Sequence, residues 1–169
     1  IQSLVKLSRM ESGIIAVHSE DTTITQMLES IQQQFNVKVR EKNITLSLCD
    51  TDLHIRCDSK WTVEALGNIV DNAIKYTACG GNVQIKVEQY SFFVKIDIID
   101  DGIGIEKEEI PKIFGRFYRS LSVADQPGVG IGLFLAREII QAQKGYIKVT
   151  SKRGKGSTFS VFLPIAKKE

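Results

Sequence analysis

The sequence predicts an α+β fold, a two-layer sandwich of helices packed on a sheet. Three observations predict it. Three internal segments read as helices, one from a Thr22 or Thr23 cap to near Lys42-Asn43 and two over about 60–76 and 130–143. Short alternating runs lie between and after them, among them Val83/Ile85/Val87 and Val94/Ile96/Ile98. The final strands are joined by turns, so they form hairpins rather than the crossovers of a wound parallel sheet.

Each element follows from local pattern. Ile1, Leu4, Val5, Leu7 and Met10 recur at near-helical spacing and Ser12-Gly13 closes the run. Residues 1–13 therefore read as the end of a helix that starts upstream, and residues 14–21 as an extended linker. Thr22 or Thr23 caps the next helix, whose apolar face is Ile24, Met27, Leu28, Ile31 and Phe35, and which ends near Lys42-Asn43. Ile44, Leu46 and Leu48 alternate as a strand, and residues 54–57 form a second short strand. Asp58 or Ser59 caps a long helix over about 60–76, with Val63, Leu66, Ile69, Val70, Ala73 and Ile74 as its buried stripe. Cys79-Gly-Gly-Asn82 is a turn, and Val83–Val87 and Val94–Ile98 pair as a hairpin. Residues 101–108 are loop, and Glu109–Phe114 is one helical turn. Residues 119–128, poor in hydrophobics and containing Ser, Asp, Gln and Pro, read as a mobile loop. A helix over about 130–143 stops at Lys144-Gly145, and strands 146–151 and 156–163 flank a Lys152–Gly156 turn. Residues 22–166 thus make one domain, with 167–169 a tail.

Composition narrows the function. The 169 residues, 43% hydrophobic and 25% charged, suffice for one globular domain with its own core. A net charge of +2 is too balanced for a nucleic-acid partner, and the basic residues near 152–155 and 167–168 read as a solvated turn and tail. Cys49, Cys57 and Cys79 lack metal-ligand spacing and cannot all pair, which favours a reducing, intracellular setting. No apolar run approaches the roughly 18 residues of a membrane span and no signal peptide is present, so this segment is expected to make no membrane contact. The chain begins in mid-pattern with Ile and reads as a piece of a longer protein.

Three stretches carry chemistry. On the 60–76 helix, Glu64, Asn68 and Asn72 recur every four residues and line one side. Amides are poor helix formers, so their presence there needs a reason. An amide oxygen at Asn72 can ligate Mg²⁺ without adding negative charge beside phosphate, and Lys75 can neutralise phosphate as a point charge. Asp100 ends a strand ahead of Gly102 and Gly104. Ionised, it only accepts hydrogen bonds, which suits the exocyclic amine of adenine, and the glycines permit close approach of the backbone. Gly128, Gly130 and Gly132 open a helix whose first N–H groups favour phosphate. Each signal alone is weak: Asp-Asp-Gly is more often a tight turn, and this glycine run matches neither the P-loop nor the dinucleotide fingerprint. Between the last two lies Phe114-Gly-Arg116-Phe117-Tyr-Arg119, an aromatic cluster whose arginines suit phosphate or a partner surface.

Taken in order, these motifs resemble those of a known family. Asn68…Asn72-Ala-Ile-Lys75-Tyr76 resembles its N box, and Asp100-Asp-Gly102-Ile-Gly104-Ile105 its G1 box. Phe114–Arg119 resembles the F box, Gly128-Val-Gly130-Ile131-Gly132-Leu133 the G2 box, and Gly154-Lys-Gly156-Ser-Thr158-Phe the closing glycine motif. The chain is identified as resembling the ATP-binding catalytic domain of sensor histidine kinases, in the GHKL ATPase superfamily, over about residues 20–164. Leu7–Gly13 is similar to the last turn of the family's dimerisation helices.

The resemblance implies a mixed five-stranded sheet with three main helices on one face. ATP would lie between the Asn-bearing helix and the 119–130 segment. It implies Asn72 as the Mg²⁺ ligand, Asn68 lining the phosphate site, and Lys75 and Tyr76 contacting the nucleotide. Asp100 would accept from adenine, with Gly102, Gly104 and Ile105 shaping its pocket. Arg116, Phe117 and the glycine motif from Gly128 through Leu133 would surround the phosphates, and Thr158 completes the set. Ser157 stands where Thr is frequent.

The implied activity is transfer of the ATP γ-phosphoryl to a histidine, for relay to the receiver domain of a response regulator, by a homodimeric membrane-bound sensor whose cytoplasmic part this would be. The phosphoacceptor motif is absent. His18 and His54 read as ordinary histidines, so the acceptor is expected upstream of residue 1. Two other readings stand beside this one. One is a GHKL ATPase that couples hydrolysis to conformational change; such relatives usually carry an acidic base where Asn68 stands and lack the Phe114–Arg119 motif. The other is a nucleotide-gated interaction module without transfer activity.

Overall fold

The computed structural model describes residues 4, 5, 8, 16–119 and 130–165. Among the described residues, seven strands and three long helices follow in the order β1 (Glu20–Thr23), α1 (Ile24–Glu41), β2 (Thr45–Leu48), β3 (His54–Cys57), α2 (Ser59–Tyr76), β4 (Asn82–Gln89), β5 (Phe93–Asp100), α3 (Gly132–Ala142), β6 (Tyr146–Lys152) and β7 (Gly156–Pro164). A 3-10 turn, Ile110–Lys112, precedes α3. Leu4, Val5 and Ser8 are helical and exposed.

Five strands form one mixed sheet in the order β2-β4-β5-β7-β6. Only β2 and β4 run parallel; the other neighbours are antiparallel. Strand alternation sends Val83, Ile85, Val94, Ile96, Ile98, Phe159, Val161 and Leu163 into the core. The three helices cover that side, so the two-layer α+β sandwich is the observed fold.

The apolar face of α1 buries the five residues its periodicity predicts. On α2 the buried arc is wider than one stripe: Thr62, Ala65 and Gly67 join it, and Val63 is only half-buried. The reason is position. α2 lies between α1 and α3, so both of its flanks are covered. Gly67 brings α2 against Gln34 and Phe35 of α1.

The structure departs from the sequence reading at several boundaries. The expected linker is already strand from Glu20, and β1 pairs antiparallel with β3 in a separate two-stranded sheet. That sheet is tied to the body by an Ile55–Ile165 bridge and by Ile24 N–H donating to Leu53 O at 3.1 Å. Thr23 occupies the N-cap of α1 without a side-chain cap bond. Asp58 is the functioning cap, its carboxylate accepting from Trp61 N at 3.1 Å. The turn expected over 109–114 narrows to the 3-10 segment containing Pro111. α3 starts at Gly132 rather than 130, because Gly130 has φ +77 and cannot be helical. The loop expected at 119–128, Arg119 apart, and the tail lie outside the described residues, as does most of the predicted first helix.

Candidate functional site

The two ends of α2 are anchored before any ligand is considered. At its start, Asp58 N–H donates to Gln143 Oε1 at 2.7 Å, and Gln143 Nε2 donates to Thr62 Oγ1 at 3.1 Å. The C-terminus of α3 is thereby clamped to the N-terminus of α2. At the other end, Lys42 Nζ donates to the carbonyls of Ile74 and Lys75, both at 2.8 Å. These would otherwise be unpaired helix-end acceptors, and the positive charge suits the negative end of the helix.

Between those anchors, Asn68 donates from Nδ2 to Gly132 O at 3.1 Å. This is the reason for an amide on a helix flank: it holds the first residue of α3 against α2. Asn72, one turn later, is half-buried, and its amide makes no hydrogen bond among the described residues. Lys75 reaches back one turn to Asp71 at 3.0 Å, and Lys38 of α1 reaches the other oxygen of Asp71 at 2.9 Å. Burial works against the Asp71 charge, yet the two ammonium groups hold its carboxyl below the usual value.

The Asp-Asp-Gly turn divides its two carboxylates. Asp101 is exposed and structural: Asn82 donates to it from N at 2.8 Å and from Nδ2 at 2.9 Å, closing the base of the β4–β5 hairpin, and these bonds pull its pKa down. Asp100 is buried, with Gly102 N–H donating to Oδ1 at 2.9 Å. Burial pushes its pKa up, while the backbone N–H groups of Gly102 and Ser157 pull the other way. A carboxylate has more acceptor positions than these backbone groups fill, and one held here suits a further donor such as an aromatic amine.

A Cβ on Gly102 would collide with the Tyr76 carbonyl, and one on Gly104, at φ +71, with the Lys152 carbonyl. They therefore bring the Asp100 turn against the end of α2 and against the β6–β7 turn. The close approach is to the protein's own backbone. Ile105 follows, its N–H on Ser151 Oγ at 2.8 Å.

The aromatic segment closes the other side. Phe114 is buried edge-on against Phe159, with ring centroids 6.3 Å apart, and the Arg137 guanidinium lies 5.3 Å from its centroid. The exposed Arg116 stacks over Phe134 of α3 at 4.9 Å. Phe117 is exposed and takes φ +63. A Cβ at Gly130 would stand 2.8 Å from the Phe117 carbonyl carbon and 2.9 Å from Tyr118 O, so this segment and the glycine turn meet there. Burial raises the Tyr76 pKa, and the charge of nearby Arg119 opposes it.

Part of the predicted set thus lies along a ring of neighbouring contacts. It runs from Asp100 and Gly102 to Tyr76, then through Arg119 to Phe117, Gly130 and Gly132, and back to Asn68 on α2. Ile131 is buried behind it and Leu133 packs on the core. Gly128 lies outside the described residues. Thr158 is not brought to the ring: Phe159 points to the helices, so Thr158 stands on the opposite sheet face. Ser157 is the residue paired with Asp100 across β5 and β7, and it is buried. Counting back in twos from the core residue Phe159 finds Ser157 from sequence alone. The contact of Asp71 with Lys38, 33 residues away, leaves no local signal in the sequence. Among the described residues there is no cluster of three or more His, Cys, Asp or Glu side chains able to hold a metal. One amide with phosphate oxygens and water is nonetheless the kind of donor set Mg²⁺ accepts, and the unengaged Asn72 amide fits it.

A ring closed between a helix flank and a glycine turn, on a mixed sheet with helices on one side, defines a nucleotide-binding domain. Residues 57–167 match the histidine kinase-, DNA gyrase B-, and HSP90-like ATPase family, and the chain belongs to that family. Membership of an ATPase family implies that it binds ATP. The sensor histidine kinase WalK of Bacillus subtilis (strain 168) is 33% identical over 169 residues, covering 97% of this chain and 28% of that protein. The sensor protein kinase PmrB of Pseudomonas aeruginosa (strain PAO1) is 29% identical over 165 residues, covering 97% of this chain and 35% of that protein. The chain therefore spans about a third of these curated relatives. The structure of the mycobacterial sensor histidine kinase MprB is similar at a TM-score of 0.77 and 25% identity, covering 88% of this chain and 98% of that one.

Proposed function

We propose that this chain is the catalytic domain of a sensor histidine kinase, and that it donates the γ-phosphoryl of Mg·ATP to a histidine outside residues 1–169. The observation that carries the reading is the state of Asn68. Where a hydrolytic relative would need a carboxylate base, this chain has an amide that is spent on Gly132 O at 3.1 Å. An amide does not take a proton from water at neutral pH, whereas an imidazole nucleophile brings its own lone pair.

In the mechanism, Asp100 accepts from the adenine amine and Tyr76 flanks the nucleotide. Lys75, Arg116 and the N–H groups at the start of α3 offset the phosphate charge, which is the main task in phosphoryl transfer. Mg²⁺, held by the Asn72 amide oxygen, would supply further charge neutralisation. The acceptor nitrogen forms a bond to the γ-phosphorus as the bond to the β–γ bridging oxygen breaks, and ADP keeps that electron pair. Residues 1–13 would be the end of the dimerisation helix that carries the acceptor, and the phosphoryl group would pass on to a receiver domain. In this reading the parent protein is a homodimeric membrane sensor and this domain is cytoplasmic. Among the described residues, no helix is long and apolar enough to cross a membrane.

Labelled ATP and a separately supplied dimerisation domain test the proposal. Acid-labile label on that domain's histidine is expected. Free phosphate without protein label would support the hydrolytic alternative, and ATP binding with neither product would support a nucleotide-gated interaction module.

A further inference from the structure

We propose that Asp71 is a positioning residue for the phosphate site, holding the Lys75 ammonium at the α1-facing edge of the side of α2 that carries Asn68 and Asn72. The inference rests on the reading that Lys75 meets the nucleotide phosphates.

Helix geometry supplies the first support. Lys75 lies three residues after Asn72 and seven after Asn68, so all three share one side of α2. A lysine side chain has four rotatable bonds and sweeps a wide arc unless something holds it. Asp71 is one turn back on the edge of that side, and its Oδ2 is 3.0 Å from Lys75 Nζ.

The carboxylate is itself held. Its Oδ1 accepts from Lys38 Nζ at 2.9 Å, and that ammonium also sits 5.6 Å from the centroid of the Phe35 ring on α1. Each oxygen of Asp71 thus takes one ammonium, one from its own helix and one from a neighbouring helix. The Asp71 and Lys75 side chains are 25% and 31% exposed, against 56% for Lys38. An ion pair this open contributes little to folding. Its effect is to restrict the rotamers of a side chain that must be in place when an anion arrives, which lowers the ordering cost of binding. One carboxylate facing two lysines still leaves the site a net positive charge for phosphate.

Calorimetric titration of the 169-residue chain with Mg·ATP and with adenosine separates this role from a structural one. Asp71→Asn is expected to raise the Kd for Mg·ATP roughly three- to tenfold, with adenosine affinity and thermal midpoint little changed. Lys75→Met is expected to weaken Mg·ATP binding more, and Asp71→Asn added to Lys75→Met should change the Kd less than about twofold. Lys38→Met, which frees the carboxylate without removing it, is expected to give a smaller loss and decides the matter if Asp71→Asn does not fold. An unchanged or tighter Mg·ATP Kd in the variant that decides, or an equal loss with and without Lys75, overturns the positioning role. Wild-type Mg·ATP affinity in Lys75→Met, or no ATP binding by the unaltered chain, overturns the phosphate-site reading itself.

Discussion

Replacing Asp100 by Asn should separate nucleotide binding from stability, and the structure sets the size of both effects. The two side chains are nearly isosteric. An amide oxygen at position 100 can still accept from Gly102 N–H, which the carboxylate does at 2.9 Å, so the turn should survive. What changes is the second group, which becomes an NH₂ donor facing the donor of adenine. A hydrogen bond to a charged group contributes about 1.5–3 kcal/mol, so Asp100→Asn should weaken ATP binding by roughly ten- to hundredfold. Stability should move the other way or not at all, because burial disfavours the ionised Asp100 and the variant removes that charge. The pH dependence follows with the same signs. Folding raises this carboxyl above its ordinary 3.8, so the native state binds the proton more tightly than the unfolded chain. The group's contribution to stability therefore falls as pH rises through the window between 3.8 and the raised value. ATP affinity rises over the same window as Asp100 ionises, and in Asp100→Asn that rise should be missing. Calorimetry with ATP, paired with thermal unfolding across acidic pH, measures both. An ATP Kd within twofold of the unaltered chain, in a folded variant, refutes the assignment of Asp100 to the base.

Three further perturbations probe the rest of the site. Asn72→Asp adds charge beside the phosphates and should weaken productive Mg·ATP binding by about tenfold; unchanged affinity by calorimetry, with unchanged kinase activity in the parent protein, would sink the metal-ligand role. Gln143→Leu strands the Asp58 N–H and the Thr62 hydroxyl in the core, and should cost about 1–3 kcal/mol in urea unfolding. Thr158→Ala should leave ATP affinity within about twofold, since its side chain is on the sheet face away from Asp100; a large loss would place the nucleotide elsewhere.

The sequence by itself determined most of the elements, β1 excepted, because their signals are local. Helical periodicity marks the buried face of α1 residue by residue, and alternation marks β4, β5, β6 and β7. The order of the motifs carried the family resemblance, since five short patterns in fixed sequence are far more specific than any one. The tertiary structure decided what these signals do not encode. The parallel β2–β4 pair and the small β1–β3 sheet depend on partners distant in the chain, which local alternation does not specify. The wide buried arc of α2 depends on lying between two helices. Within the site, a sequence can show that Asn68, Asp100 and glycine recur, but not what each one touches. Asn68 proves to hold Gly132, and Gly102 and Gly104 prove to admit the chain's own carbonyls. Asp71 becomes visible only when Lys38 arrives from α1. Hydrogen bonds and ion pairs are contacts between neighbours in space, and folding alone makes residues 33 apart into neighbours.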